Sequence, residues 1–142
     1  MLFEQYIYYD VKRLIREYPK LKDTLKQMKS RLATMDGSRG IDYETDRVTT
    51  SPTNNQLVNL VARRIALENK IADYEQSLTD YENAWRLLSD QDREILALFY
   101  QSGKSYSKAA FTYGAKYDVS DRACTQRLNN AVKNFRFLLF GE

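Results

Sequence analysis

Two long stretches of the chain repeat apolar residues at alternating steps of three and four, the spacing of a helix that packs along one seam. The first seam consists of Ile7, Val11, Leu14, Tyr18, Leu21, Leu25, Met28 and Leu32. The second consists of Leu57, Leu60, Arg64, Leu67, Ile71, Tyr74, Leu78, Tyr81, Trp85 and Leu88, and only its arginine is polar. Two such helices can fold back as an antiparallel hairpin, pair between subunits, or do both.

A proline and a polar segment interrupt these seams. Pro19 lacks a backbone donor, which predicts either a kink or a break after which the helix restarts. Residues 35–55 are rich in turn formers and have no apolar period, so they predict a flexible linker. The N-terminal part therefore divides into a basic helix at residues 1–34, this linker, and a heptad helix at residues 56–88.

The start of the second seam carries more apolar residues than a two-helix seam needs. The additional positions lie within residues 57–58 and 60–62 and at Ile65. They require a further partner, which is either the first helix or another subunit. A homo-oligomer formed through the heptad helices is one expectation.

Three short capped helices are predicted within residues 89–142. Ser89, Ser105 and Ser120 each precede a periodic segment and can accept a backbone hydrogen bond at a helix start. The predicted helices cover residues 90–101 and 106–117 and the segment after Ser120, and the last two join at Asp118-Val119-Ser120. The fold class is therefore all-α: a long helical hairpin or coiled-coil-like region followed by a trihelical helix-turn-helix domain.

The last predicted helix has two different faces. Its apolar face consists of Cys124, Leu128, Ala131, Val132, Phe135, Leu138 and Leu139, with the cysteine as a small core residue. Arg122, Gln126, Asn129 and Lys133 point the opposite way. Hydrogen-bonding and cationic groups of this kind contact base edges and phosphates in a major groove, so double-stranded DNA is the expected partner. Two aromatic rings lie outside the inward arc and are expected to pack on the 55–88 helix or a second subunit; they are Phe137 and Phe140.

Charge is unevenly distributed along the chain. The net charge of +3 results from +4 in residues 1–34, −3 in residues 35–88 and +2 in residues 89–142. The acidic middle repels phosphate, so DNA contacts are expected towards the two ends.

Composition excludes several classes of chemistry. There is no histidine and only one cysteine, which excludes an internal disulfide and catalysis by an imidazole and argues against a zinc site. The acidic residues form no cluster, so neither enzymatic activity nor a metal or cofactor is expected. No apolar run approaches the roughly 20 residues of a membrane span, and the N-terminus lacks the pattern of a signal peptide. A cytoplasmic protein with no membrane partner is expected.

The segments LSDQDREILALFY from Leu88, GKSYSKAA from Gly103 and VSDRA from Val119 together resemble the fourth region of bacterial sigma factors, and Leu128, Ala131 and Val132 continue the match. Between Ala110 and Val119 the chain is about one helical turn longer than a compact sigma-type helix-turn-helix, with residues 114–118 in the place of a shorter turn.

The whole layout resembles the ArpU/RinA group of phage late-gene transcription regulators. Those proteins place a basic helix containing Tyr-Pro before a polar linker, a second helix and a sigma-like domain; the segments EYPKL from Glu17 and TSPT from Thr50 fit that order. The resemblance implies promoter binding and activation of bacteriophage packaging and morphogenesis genes in a bacterial host cell. Contact with the host RNA polymerase is a further implication.

The same resemblance implies roles for individual residues. By matching position, the base-reading residues are Arg122, Thr125, Gln126 and Asn129. The residues that contact the DNA backbone are Arg127, Asn130 and Lys133.

Two other classes of protein have the same general pattern. A DNA-packaging protein similar to a small terminase subunit also joins a helix-turn-helix to oligomerising helices, and ring formation would favour that alternative. A helical interaction protein without affinity for DNA is the third possibility. A salt-sensitive, discrete footprint on DNA would favour the regulator.

Overall fold

The computed structural model describes residues 11–49 and 54–141, with side chains for residues 11–35 and 56–141. The described residues form helices and contain no strand. The helices are α1 (Val11–Thr49), α2 (Asn54–Leu87), α3 (Asp90–Tyr100), α4 (Tyr106–Tyr117) and α5 (Asp121–Phe140). The predicted all-α class is therefore confirmed.

The first helix differs from its prediction in length. It continues through Pro19, so no break and restart occurs there, and it continues on to Thr49. The predicted linker is therefore helical over residues 35–49. Gly37 and Gly40 each lower helix propensity by about 1 kcal/mol relative to alanine, but unlike proline they keep their backbone donors. Residues 50–53 of the linker and residues 1–10 of the predicted first helix lie outside the described residues.

The chain forms two compact units, and their limits differ from the predicted domain boundaries. Of the described residues, the first unit contains 11–19 and 77–141, and the second lies within Lys20–Gln76. The predicted boundary between residues 88 and 89 falls inside the first unit. The one between residues 34 and 35 falls inside the second.

The core of the first unit is built from both long helices and the three short ones. Tyr18 of α1 stacks on Tyr81 of α2 with ring centroids 3.9 Å apart, and Phe135 of α5 meets Tyr81 edge-on at 5.1 Å. The side chains buried with them include Leu14, Ile15, Leu78, Leu88, Ile95, Leu96, Phe99, Ala109, Ala110, Tyr113, Cys124, Leu128 and Ala131. Residues far apart in sequence thus bury their apolar surface together, which stabilises the unit.

The second unit is an antiparallel pair of helix segments. The ammonium of Lys29 lies 2.7 Å from a carboxylate oxygen of Glu75. Lys29 is 20 residues before the end of α1 and Glu75 is 21 residues after the start of α2. Residues equally far from the connection meet only when α2 runs back along α1. Met28 and Ile71 are buried on this pair.

The end of α5 departs from its predicted faces. Leu138, predicted on the apolar face, is exposed, and Phe137 is exposed over 63% of its surface. Phe140 is half-buried. Phe137 and Leu138 line an open groove of about 300 Å³ together with Leu87 and Leu88, so Phe137 borders the end of the second helix while most of its surface stays exposed.

Candidate nucleic-acid interface

Serine hydroxyls determine where the three short helices begin. Ser89, Ser105 and Ser120 have extended backbones, and each side chain accepts a hydrogen bond from the amide three residues later. This satisfies a donor that the first helical turn leaves without a partner. The donating amides are those of Asp92, Lys108 and Ala123, at 3.2, 3.3 and 3.2 Å. The three predicted caps are confirmed.

A three-residue turn joins α4 to α5. Asp118 adopts the left-handed conformation with φ of 52° and ψ of 51°, and its amide donates to the carbonyl of Gly114. The amide of Val119 also donates to Gly114, at 3.3 Å. A Cβ at Gly114 would lie 3.1 Å from the Val119 carbonyl oxygen, so the turn closes tightly over this position.

The residues expected to form a lengthened turn therefore belong to α4. Residues 114–117 are helical, and the connection consists of residues 118–120. The expectation of a longer turn at residues 114–118 is corrected. A short connection limits the angles at which α5 can cross α4.

One face of α5 is buried against α3 and α4, which also pack on each other. The buried side chains on it are Cys124, Leu128, Ala131 and Phe135, as predicted. Burial, with a smaller effect of the Asp121 carboxylate, raises the pKa of the Cys124 thiol. This cysteine is therefore a neutral core residue.

Polar contacts add to this packing. The amide nitrogen of Asn134 donates to a carboxylate oxygen of Asp92 at 3.0 Å, which joins α5 to α3. Near the other end of α5, the hydroxyls of Thr125 and Tyr106 lie 3.0 Å apart and join α5 to the first residue of α4. Contacts towards both ends hold the helix in position.

The side of α5 opposite the core is exposed and polar. Arg122, Gln126 and Asn129, predicted to read bases, are exposed on it. Lys133 continues the same side one turn later and is also exposed. Asn130 is exposed beside them. At about 100° per residue the first four lie within one narrow arc, so they can face a single surface.

Two of the predicted site residues are engaged by α4. Thr125 is half-buried, and its hydroxyl shares a hydrogen bond with Tyr106. Arg127 is exposed, and its Nη1 donates to the hydroxyl of Tyr113 at 3.3 Å. Both side chains therefore lie outside the narrow arc of the other four, and they fasten α5 to α4.

The beginning of α4 carries cationic residues that the sequence interpretation did not include. The Tyr106–Thr125 contact brings this end of α4 next to the first turns of α5. Lys104 precedes α4 and Lys108 lies in its first turn; both are exposed, and they line a shallow groove of about 330 Å³ with Phe111. In the sequence, the signal for these cationic residues is that they lie on either side of the predicted helix cap Ser105.

A carboxylate on α3 engages the only other lysine of α4. Lys116 and Tyr117 both donate hydrogen bonds to Glu94. The bond from Lys116, then that from Tyr117, holds the pKa of the Glu94 carboxyl below its usual range. The bond to Glu94, then a hydrogen bond with Tyr117, raises the pKa of Lys116. This ion pair fixes α4 on α3 at the end remote from Lys104.

Other kinds of site are not found in the part of the chain that the structure describes. It contains no group of three or more acidic or cysteine side chains placed to hold a metal ion. None of its helices combines the length and apolar character needed to cross a membrane. Comparisons with known protein families, curated proteins and solved structures gave no match. The functional assignment therefore rests on the chain's own residues and geometry.

Proposed function

We propose that this protein binds double-stranded DNA sequence-specifically, with α4 and α5 as a helix-turn-helix and α5 as its recognition helix. The observation that carries the proposal is the division of α5 into two faces. Four apolar side chains are buried on one face, and Arg122, Gln126, Asn129 and Lys133 are exposed on the other. A helix held in this way presents its polar side chains to a partner without unpacking.

The dimensions and residue types of α5 fit a major groove. The groove is wide enough to accept an α-helix, and recognition helices contact bases through their first turns. Arg122 lies in the first turn and Gln126 in the second. Arginine pairs with guanine through two hydrogen bonds, and glutamine or asparagine does so with adenine. Arg122, Gln126 and Asn129 are therefore the proposed base readers, with Thr125 beside them.

Phosphate contacts are proposed for other residues of α4 and α5. Arg127, Asn130 and Lys133 are the proposed backbone contacts on α5. The exposed Lys104 and Lys108, just before α4 and in its first turn, are proposed to add two cationic groups. Contacts of this type position a protein on DNA and make its affinity fall as salt increases.

The biological role proposed is that of a transcription regulator, an activator of late bacteriophage genes acting in the bacterial cytoplasm. The resemblance of the segments from Leu88 and Gly103 to sigma factors supports promoter binding and contact with RNA polymerase. Neither catalysis nor a cofactor forms part of this proposal.

The first experiment is selection of binding sites from genomic DNA with the purified protein, followed by substitution of the proposed base readers. Arg122→Ala with Gln126→Ala should lower affinity for the selected site about 30-fold or more, since each lost bidentate contact costs about 1–3 kcal/mol. Affinity for unrelated DNA should change much less. Fluorescence anisotropy at two salt concentrations measures both affinities.

The matched control is Arg86→Ala with Gln91→Ala, which removes one arginine and one glutamine from exposed positions in the same unit. It should leave the affinity for the selected site unchanged. If the α5 variant folds normally and binds the site as tightly as the control, or if no site is selected, the proposal is wrong.

A further inference from the structure

The first three turns of α2 expose a cluster of large apolar side chains. Its members are between 45% and 65% exposed: Leu57, Val58, Leu60, Val61 and Ile65. Single exposed apolar residues are common on proteins, but a contiguous group marks an interaction surface. The cluster therefore indicates a surface that binds a partner.

The contacts described between the two helices of the second unit lie on another side of α2 from most of this cluster. Within the second unit α1 contacts the side of α2 that carries Ile71 and Glu75. At about 100° per residue, Val58, Val61 and Ile65 are centred roughly 120° away around the helix from Ile71. The sequence alone allows two partners for these apolar residues, the first helix or another subunit. The geometry points to the second.

The charge of the cluster favours an identical copy as that subunit. Residues 54–62 contain no charged side chain. Of the two arginines that follow, Arg63 is exposed on the side of α2 opposite Val58, Val61 and Ile65, and Arg64 is bonded to Glu68 on the same helix at 3.1 Å. A two-fold interface brings one patch against itself, so a charged patch would repel its copy whereas an uncharged one does not. A strongly charged partner such as nucleic acid would find little to bind here.

The size of the cluster is also sufficient. The remaining exposed area of the five side chains is on the order of 400 Å² per chain, the size of patches that serve as interaction sites. Two such patches supply on the order of 800 Å² of apolar surface, about two thirds of the roughly 1,200 Å² at which specific interfaces begin, and the polar atoms around them supply the rest.

We infer that two copies of this chain associate through the α2 face formed by Leu57, Val58, Val61 and Ile65, with the two α2 helices antiparallel. The direction follows from the charges further along α2. Residues 68–82 contain five carboxylates and one lysine. A parallel pair would place two such segments side by side, whereas an antiparallel pair separates them and removes the repulsion. The dimer goes beyond the proposed DNA binding and does not depend on it.

Sedimentation of the full chain without DNA tests the association. The wild type should be a dimer at micromolar concentration and remain so at high salt, because the interface is apolar. Val58→Lys with Ile65→Lys should weaken the dimer at least tenfold while the helical circular dichroism is retained. Asn59→Lys with Ala66→Lys is the control; it adds the same charges at exposed positions on another side of α2.

Each result decides the question. A monomeric wild type at about 100 µM, or a face variant as dimeric as the control, overturns the inference. Neither result bears on binding of DNA by α5, which the anisotropy measurements test separately.

Crosslinking tests the direction. Chains carrying Val58→Cys and chains carrying Ile65→Cys are mixed and oxidised, and peptide mapping excludes bridges through the buried Cys124. Bridges between positions 58 and 65 are expected for antiparallel helices. Predominant 58–58 and 65–65 bridges would mean a parallel pair and overturn the stated direction.

Discussion

Glu94 shows how a single side chain positions the proposed DNA-binding helices. It lies on α3 and accepts hydrogen bonds from Lys116 and Tyr117, both in the last turn of α4. These bonds favour the ionised carboxyl and keep its pKa below the ordinary 4.5. A carboxyl whose pKa is lower in the folded chain links stability to pH.

The Glu94 ion pair predicts a pH-dependent part of the stability. Above about pH 5 the carboxyl is ionised in the folded and unfolded chains, so the stabilisation is fully present. As the pH falls through the unfolded pKa and then the lower folded pKa, the unfolded chain takes up the proton first and the stabilisation is lost. Urea unfolding from pH 7 to pH 3 should therefore show Glu94→Gln less stable than the wild type at pH 7, with the difference closing towards pH 3.

The control variant is Asp73→Asn, which removes an exposed carboxyl on α2. A difference between wild type and Glu94→Gln that stays constant across the range would contradict the role given to these hydrogen bonds.

Residue by residue, the exposed face of the candidate site was predictable and its internal contacts were not. The exposure of Arg122, Gln126 and Asn129 follows from helical spacing alone, because apolar residues at the intervening positions must face the core. The bonds of Thr125 to Tyr106 and of Arg127 to Tyr113 depend on how α4 crosses α5. No local pattern contains that information.

At the scale of the elements, starts and ends of helices differ in how clearly they are encoded. The starts of α3, α4 and α5 each have a serine whose role is local. The end of α4 is at Asp118, a non-glycine residue in the left-handed conformation. Aspartate tolerates this conformation better than most residues, but glycine adopts it without strain.

Asp118→Gly should therefore stabilise the protein by about 0.5–1 kcal/mol, since glycine is the favoured residue at such a helix end. The midpoint of urea unfolding measures the change. Asp118→Ala, which keeps the strain and loses the polar side chain, should be less stable than the wild type. If the glycine variant is no more stable than the alanine variant, the left-handed geometry does not limit stability at this turn.

The first helix shows that local sequence patterns can also predict the end of a helix where none occurs. Two glycines and a run of polar residues predicted a linker, yet α1 continues to Thr49. Turn-forming residues lower helix propensity by amounts that a long helix can tolerate, whereas only a backbone without a donor removes a hydrogen bond. The composition of this segment therefore overestimated the length of the connection between α1 and α2.

For the whole molecule, the main feature is that the unit carrying α5 is not contiguous in sequence. Tyr18, Tyr81, Trp85 and Phe135 form one aromatic cluster from three helices. Phe135 is completely buried in it. The proposed recognition helix is thus supported by α1 and α2 as well as by its two neighbours.

A fragment of residues 89–142, the predicted DNA-binding domain, should therefore be much less stable than the full chain. Loss of the partners of Phe135 removes an amount of burial comparable to a large core truncation, about 3–5 kcal/mol, from a total that is typically about 5–15 kcal/mol. Thermal melts by circular dichroism and dispersion of amide NMR signals measure it. A fragment that unfolds as cooperatively and at the same temperature as the full chain would show an independent domain.

Two phenylalanines of α5 provide the matched control in the full chain. Phe135→Ala should cost about 3–5 kcal/mol, whereas Phe137→Ala, at a mostly exposed position, should cost under about 1 kcal/mol. Similar costs would mean that burial in the aromatic cluster is not the source of stability.

The sequence by itself determined the helical class, the starts of the three short helices and the two faces of α5. Caps and three-to-four spacing act within a few residues, so local physics is enough for them. Only the tertiary structure decided that α1 extends through the expected linker, that one compact unit combines residues 11–19 with residues 77–141, and that a face of α2 is left uncovered. These features depend on which distant surfaces bury each other, and many pairings satisfy the same local pattern.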